Sequence, residues 1–146
     1  MHNVIITKTT ERPTAVVPAV TNWQEYPKLW GKLLDEVWAF IRTGAVEKYG
    51  HNIMLYKDDR PSVEVGVQVA TRFEPKGRVV PSVLPAGEVA MTLHRGPYRG
   101  LGDAHEAVIT WCAANGRERT GVRWEIYSDH RDNEAELEVE VYYLLR

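Results

Sequence analysis

The chain has 146 residues, enough for one compact domain with a substantial core. Its 18 Lys and Arg nearly balance 20 Asp and Glu, a formal net charge of −2 without long runs of like charge, so it lacks the concentrated basic surface that nucleic-acid binding needs. One cysteine excludes an internal disulfide and a multi-cysteine zinc site, and no apolar stretch approaches the roughly 18 residues that span a bilayer.

The first strand signal covers Asn3 to Lys8 and resumes at Thr14 to Val17, after the break at Glu11-Arg12-Pro13. A helix follows, with Asn22 as candidate N-cap and Pro27 in the first turn, where a missing N–H is tolerated. Tyr26, Leu29, Trp30, Leu33, Leu34, Val37, Trp38 and Ile41 recur at three- and four-residue steps, and Thr43-Gly44 can end the helix. Two strands, His51 to Tyr56 and Val63 to Ala70, flank the turn Lys57 to Pro61. In the second, Val63, Val65, Val67 and Val69 point one way and Glu64, Gly66 and Gln68 the other, which predicts a strand buried on one face only.

The order then restarts. Pro75-Lys76-Gly77 is a break, Arg78 to Val83 is extended, and Gly87 to His94 is a strand. Gly96-Pro97 turns into a helix from about Tyr98 to Ala114, with Leu101, Ala104, Ala107, Val108, Trp111 and Cys112 as apolar positions and Asn115-Gly116 as its end. Strands from Val122 to Tyr127 and Ala135 to Leu145 complete the chain. Each half, about 1–74 and 75–146, therefore reads strand, helix, strand, strand within a single domain. The fold class is α+β: one curved antiparallel sheet, two helices on one face, and a ligand groove between them at the pseudo-twofold axis.

Arg123-Trp124-Glu125-Ile126-Tyr127 carries the most chemical information. Alternation puts Glu125 and Tyr127 on one face and Trp124 and Ile126 on the other. If the Glu125 face is covered, the carboxylate costs several kcal/mol of desolvation unless paired or protonated. Such a group can anchor a lipophilic cation or act as an acid or base.

Other chemistries find less support. Among His2, His51, His94, His105 and His130 no pair has helical i,i+4 spacing, although His94 and His105 could meet in space. The bland reading is surface or capping histidines with no metal and no cofactor. Cys112 sits beside Trp111 without an adjacent base and reads as a small core residue. Gly96 to Gly102 is glycine-rich but lacks the spacing and Lys-Ser/Thr of a phosphate loop. Glu134, Glu136, Glu138 and Glu140 alternate with apolar residues and read as a solvated outer face.

The aromatics are numerous, five Trp and seven Tyr. Trp30 and Trp38 share a helix stripe with Tyr26 and Leu34, and Trp111 occupies the comparable helix of the second half. Such stripes serve either as plain core or as the lining of a pocket that Tyr56, Tyr127 and Tyr143 would complete. Ring faces around one carboxylate suit large flat or cationic molecules.

Pro85 to Ala90, His94-Arg95-Gly96-Pro97-Tyr98 and Trp124-Glu125-Ile126-Tyr127 resemble motifs of the GyrI-like small-molecule-binding domains, also called AraC-type effector-binding domains. Val63 to Val67 and Glu140-Val141-Tyr142-Tyr143 extend the resemblance over nearly the whole chain. It implies the duplicated fold, a groove for lipophilic, often cationic drugs, and a pocket acid at the position of Glu125. In regulators of this kind the domain is joined to a DNA-binding domain. Here the motifs run from near residue 4 to 146, leaving no stretch for a helix-turn-helix, so direct nucleic-acid contact is not expected.

The leading expectation is a stand-alone cytoplasmic module that senses or sequesters hydrophobic or amphipathic small molecules. Glu125 would supply charge, and Trp30, Trp38, Tyr56, Trp111, Tyr127 and Tyr143 stacking area. The resemblance also admits a hydrolase of cyclopropane-bearing compounds with Glu125 and Tyr127 as catalytic residues, and a protein-interaction module whose partner is DNA gyrase or a regulator. An edge strand in each half leaves both monomer and homodimer open.

Overall fold

The computed structural model describes residues 2–146. The chain order is β1 (Ile5–Thr9), β2 (Arg12–Val20), α1 (Tyr26–Ile41), β3 (Lys48–Tyr56), β4 (Ser62–Val69), β5 (Val80–Leu84), β6 (Gly87–Arg95), α2 (Leu101–Ala114), β7 (Arg119–Tyr127) and β8 (Glu138–Leu145). A single 3-10 turn, Tyr98–Gly100, leads into α2. No helix among the described residues is long and apolar enough to cross a membrane.

Asn22 acts ahead of α1 rather than at its cap. Its Oδ1 accepts the N–H groups of Gln24 and Glu25 at 3.0 and 2.9 Å and organises the entry turn, and Pro27 follows in the first helical turn. Leu33, Val37 and Phe40 form the buried stripe, as three- and four-residue spacing requires.

All eight strands form one antiparallel sheet in the order β1-β6-β8-β7-β3-β4-β2-β5. The order β2-β4-β3 in one half mirrors β6-β8-β7 in the other, and the halves join through β3 and β7. The outermost strands are exchanged: β1 pairs with β6, and β5 pairs with β2.

That exchange dictates the curvature. Only Thr10 and Glu11 link β1 to β2, and only Pro85 and Ala86 link β5 to β6. Each link joins strands six places apart in the sheet. In a flat sheet that separation would be about 29 Å, whereas three residue steps reach about 11 Å. The sheet must therefore curl until its ends approach. Thr9 Oγ1 ties the two links together by donating to the carbonyl of Pro85 at 2.9 Å.

Curling gives each face a core. On the helix face, α1 packs on residues including Val17, Val65 and Val67, and α2 packs on residues including Ala90, Val139 and Val141. The opposite face closes on its own cluster, Val16, Ile53, Leu55, Leu84, Val89, Trp124, Ile126 and Tyr142. β4 is consequently buried on both sides, not one: Glu64 and Gln68 are each 6% exposed. Glu64 accepts from Ser82 Oγ at 2.6 Å and pairs with Lys57 Nζ at 2.8 Å, and Gln68 Oε1 accepts the N–H of His51 at 2.8 Å. The same curl corrects the terminal glutamates. Glu134 and Glu136 lie on an exposed turn, whereas Glu138 and Glu140 are half-buried on β8, and Tyr142 OH donates to Glu140 at 3.0 Å.

Candidate functional site

The central strands β3 and β7 leave their helix-face residues between the two helices. Cross-strand register sets Asn52 opposite Tyr127, Met54 opposite Glu125 and Tyr56 opposite Arg123. Tyr26, Pro27, Trp30 and Leu34, one stripe of α1, form one wall, and Tyr98 and Leu101 at the start of α2 form the other. The cleft between these walls is about 400 Å³, and its lining includes Glu125, Tyr56 and Tyr127.

Glu125 is 3% exposed. The hydroxyls of Tyr56 and Tyr127 donate to its Oε1 at 2.8 and 2.7 Å. His105 Nε2 lies 2.6 Å from Oε2. A carboxylate only accepts, so a neutral His105 carries its proton on Nε2 and accepts a hydrogen bond from the Tyr143 hydroxyl at Nδ1, 2.7 Å away. Three donors thus offset the desolvation of one buried charge. Among the described residues, no lysine or arginine forms an ion pair with it.

Burial first, and the negative charge of Glu125 second, hold the Tyr56 and Tyr127 phenols well above their ordinary pKa. Burial likewise pushes Tyr143 up to about 12. All three hydroxyls stay protonated near neutrality and remain donors. Ring packing fixes them further: Tyr26 meets Tyr56 edge to face at 5.6 Å, and Tyr98 meets Tyr127 at 5.6 Å.

The structure brings together Glu125, Tyr127, Trp30 and Tyr56 in this cavity. Tyr143 lies in an adjoining chamber of about 320 Å³ that shares Tyr56, Leu101 and Glu125 with the first. Two expected site residues lie elsewhere. Trp38, on α1 itself, is partly buried against the core, and its Nε1 donates to Asn52 at 3.0 Å, so it positions a lining residue rather than lining the cavity. Trp111 faces a separate hollow beside His2, Asn3 and Val4, because ten residues of helix turn it away from Leu101.

His105, read from the sequence as a surface or capping residue, is the principal addition to the site. It falls four residues after Leu101 and three before Val108, on the inward side of α2. That spacing is the signal that marks it. His94 does not meet it: His94 bonds His2 at 3.1 Å and the carbonyl of Pro97 at 2.9 Å. Among the described residues no group of three His, Cys, Asp or Glu side chains is placed to hold a metal ion.

The family model of the GyrI-like small molecule binding domain matches residues 2–146. This chain belongs to that family. Solved structures with the GyrI-like fold agree. The C-terminal domain of EcmrR matches with a TM-score of 0.85 and 19% identity, over 100% of this chain and 98% of that one. EcmrR in its complex with DNA matches at 0.82 and 20% identity, over 99% of this chain but 57% of the EcmrR chain. SAV2435 bound to tetraphenylphosphonium matches at 0.73 and 8% identity, over 99% of this chain and 94% of that one. At such identities these structures share a fold with this chain. A comparison with curated protein sequences finds no match.

Proposed function

We propose that this GyrI-like domain binds lipophilic organic cations and serves to sense or sequester them. The observation that carries the reading is the placement of Glu125, a carboxylate 3% exposed at the floor of an aromatic cavity, held by neutral hydroxyls and an imidazole. A positive charge about 5 Å away gains roughly 3 kcal/mol at an effective dielectric near 20. A small hydrated ion would lose that gain to its own desolvation. A bulky cation with delocalised charge loses little, and it also gains the ring faces of Trp30, Tyr26 and Tyr98. Tetraphenylphosphonium, which SAV2435 binds, has this chemistry, and the EcmrR match adds a regulator context.

The test is calorimetric titration with butyltriphenylphosphonium and with the neutral triphenylphosphine oxide, on wild type and Glu125→Gln. The amide keeps an acceptor for both tyrosines, so the fold should hold. The cation should weaken by about 1–3 kcal/mol in the variant and the neutral compound by much less. Equal losses for both would defeat the electrostatic role. Turnover of a cyclopropane-bearing compound by wild type and not by Glu125→Gln would instead make the site hydrolytic, with Glu125 and Tyr127 as the reacting pair.

A further inference from the structure

The chamber adjoining the cation cavity contains the opposite charge. Arg123 precedes Glu125 by two residues on β7, so both face the helices about 7 Å apart along the strand. Its side chain is 12% exposed. The guanidinium carbon stands 5.4 Å from the Tyr56 ring centroid and 5.8 Å from that of Trp23, so two aromatic rings hold the group in place.

Every hydrogen bond and ion pair it forms among the described residues runs through one nitrogen. Nη1 donates to the carbonyls of Asp58 and Gly121 at 3.2 and 3.0 Å and lies 3.1 Å from Asp59 Oδ1. Asp59 is 97% exposed, and such a surface pair contributes at most about 1 kcal/mol. Nε and Nη2 are left over. They form the side-on edge of the guanidinium, whose parallel N–H groups match the two oxygens of a carboxylate. Gly102 and His105 line the same chamber. A Cβ on Gly102 would meet nothing within 4 Å, so the space beside the first turn of α2 is open. The positive end of that helix adds to the attraction for an anion.

We propose that Arg123 is an anion subsite and that the ligands of this domain are two-ended: a lipophilic cationic body over Glu125 and a carboxylate-bearing arm against the Nε–Nη2 edge of Arg123. The cationic half of this inference rests on the function proposed above; the anionic half stands on Arg123 alone.

The experiment compares (4-carboxybutyl)triphenylphosphonium with its methyl ester by calorimetry, on wild type, Arg123→Met and Arg123→Lys. Met keeps an apolar stem against Trp23 and Tyr56, and Lys keeps the charge without the fork. Wild type should bind the acid about tenfold more tightly than the ester. That preference should vanish in Arg123→Met and shrink in Arg123→Lys, while the ester, itself a cation, should bind Arg123→Met at least as tightly as wild type because a like charge has been removed. Equal affinity for acid and ester, where both bind wild type, overturns the two-ended ligand, as does a preference that survives in Arg123→Met. A second pair, 5-phenylvalerate and its methyl ester, separates the two readings. If neither phosphonium binds but phenylvalerate shows the Arg123-dependent preference, the cation site falls and the anion subsite stands. Absence of the preference in both pairs removes the anion subsite.

Discussion

At the scale of single residues, the site is a buried acid held by phenols that resist ionisation. Strand alternation in Arg123 to Tyr127 is enough to place Glu125, Tyr127 and Arg123 on one face, and their helix-face positions follow from it. His105 and Tyr98 are harder to read, because their roles depend on how α2 docks, a tertiary fact that no local period encodes. Removing one phenol, as in Tyr127→Phe, deletes a hydrogen bond to a charged group and should cost about 1.5–3 kcal/mol in chemical denaturation. The same phenols set an alkaline limit. An unfolded tyrosine ionises near pH 10, while burial pushes Tyr143 in the folded chain up to about 12 and holds Tyr56 and Tyr127 well above their ordinary value. A raised folded pKa means that the stabilisation is complete below pH 10 and is lost as pH climbs through the folded values. Denaturation midpoints should therefore fall steeply between pH 10 and 12, with a shallower slope in Tyr127→Phe. A flat profile would show that these phenols are not protected.

At the scale of elements, periodicity locates both helices and most strands, and it errs where a face is covered by distant chain. β4 illustrates this. Its Val63-Val65-Val67-Val69 face is evident from the letters, but Glu64 and Gln68 look solvated until β5 and β3 supply Ser82 and the His51 N–H. Gly66, between them, reads as a neutral member of a polar face. In the structure β2 passes too close there for a side chain: a Cβ would stand 1.8 Å from the carbonyl oxygen of Ala15 and 2.8 Å from Val16 Cα. No rotamer relieves a clash with backbone, so the β2–β4 ladder would have to part. Gly66→Ala should destabilise by about 3 kcal/mol or more, read as a fall in the denaturation midpoint. Gly102→Ala, which meets nothing within 4 Å, serves as the control and should stay within about 1 kcal/mol of wild type.

At the scale of the whole molecule, the doubled order of elements is visible in the sequence, whereas the exchange of β1 and β5 is not. Nothing in a strand's own letters says which half it will join. The exchange changes what the halves can do alone. Residues 1–74 would carry β1 without β6, and β2 without β5. Residues 75–146 would carry β5 without β2, and both halves would lose the β3–β7 pairing. The cluster on the back of the sheet would also divide, with Val16, Ile53 and Leu55 on one piece and Leu84, Val89, Trp124, Ile126 and Tyr142 on the other. Chains of this length have little core to spare. Each fragment expressed alone should therefore lack a cooperative unfolding transition, and an equimolar mixture should recover one. Trp124, stacked on Tyr142 at 5.4 Å and 1% exposed, reports the event through its fluorescence. The ligand cavity should return only with the mixture, since Tyr26, Trp30 and Tyr56 come from one piece and Leu101, Glu125 and Tyr127 from the other. A cooperative transition in either fragment by itself would show that the exchanged strands are accessories, and that each half had a sufficient core before it was joined to its partner.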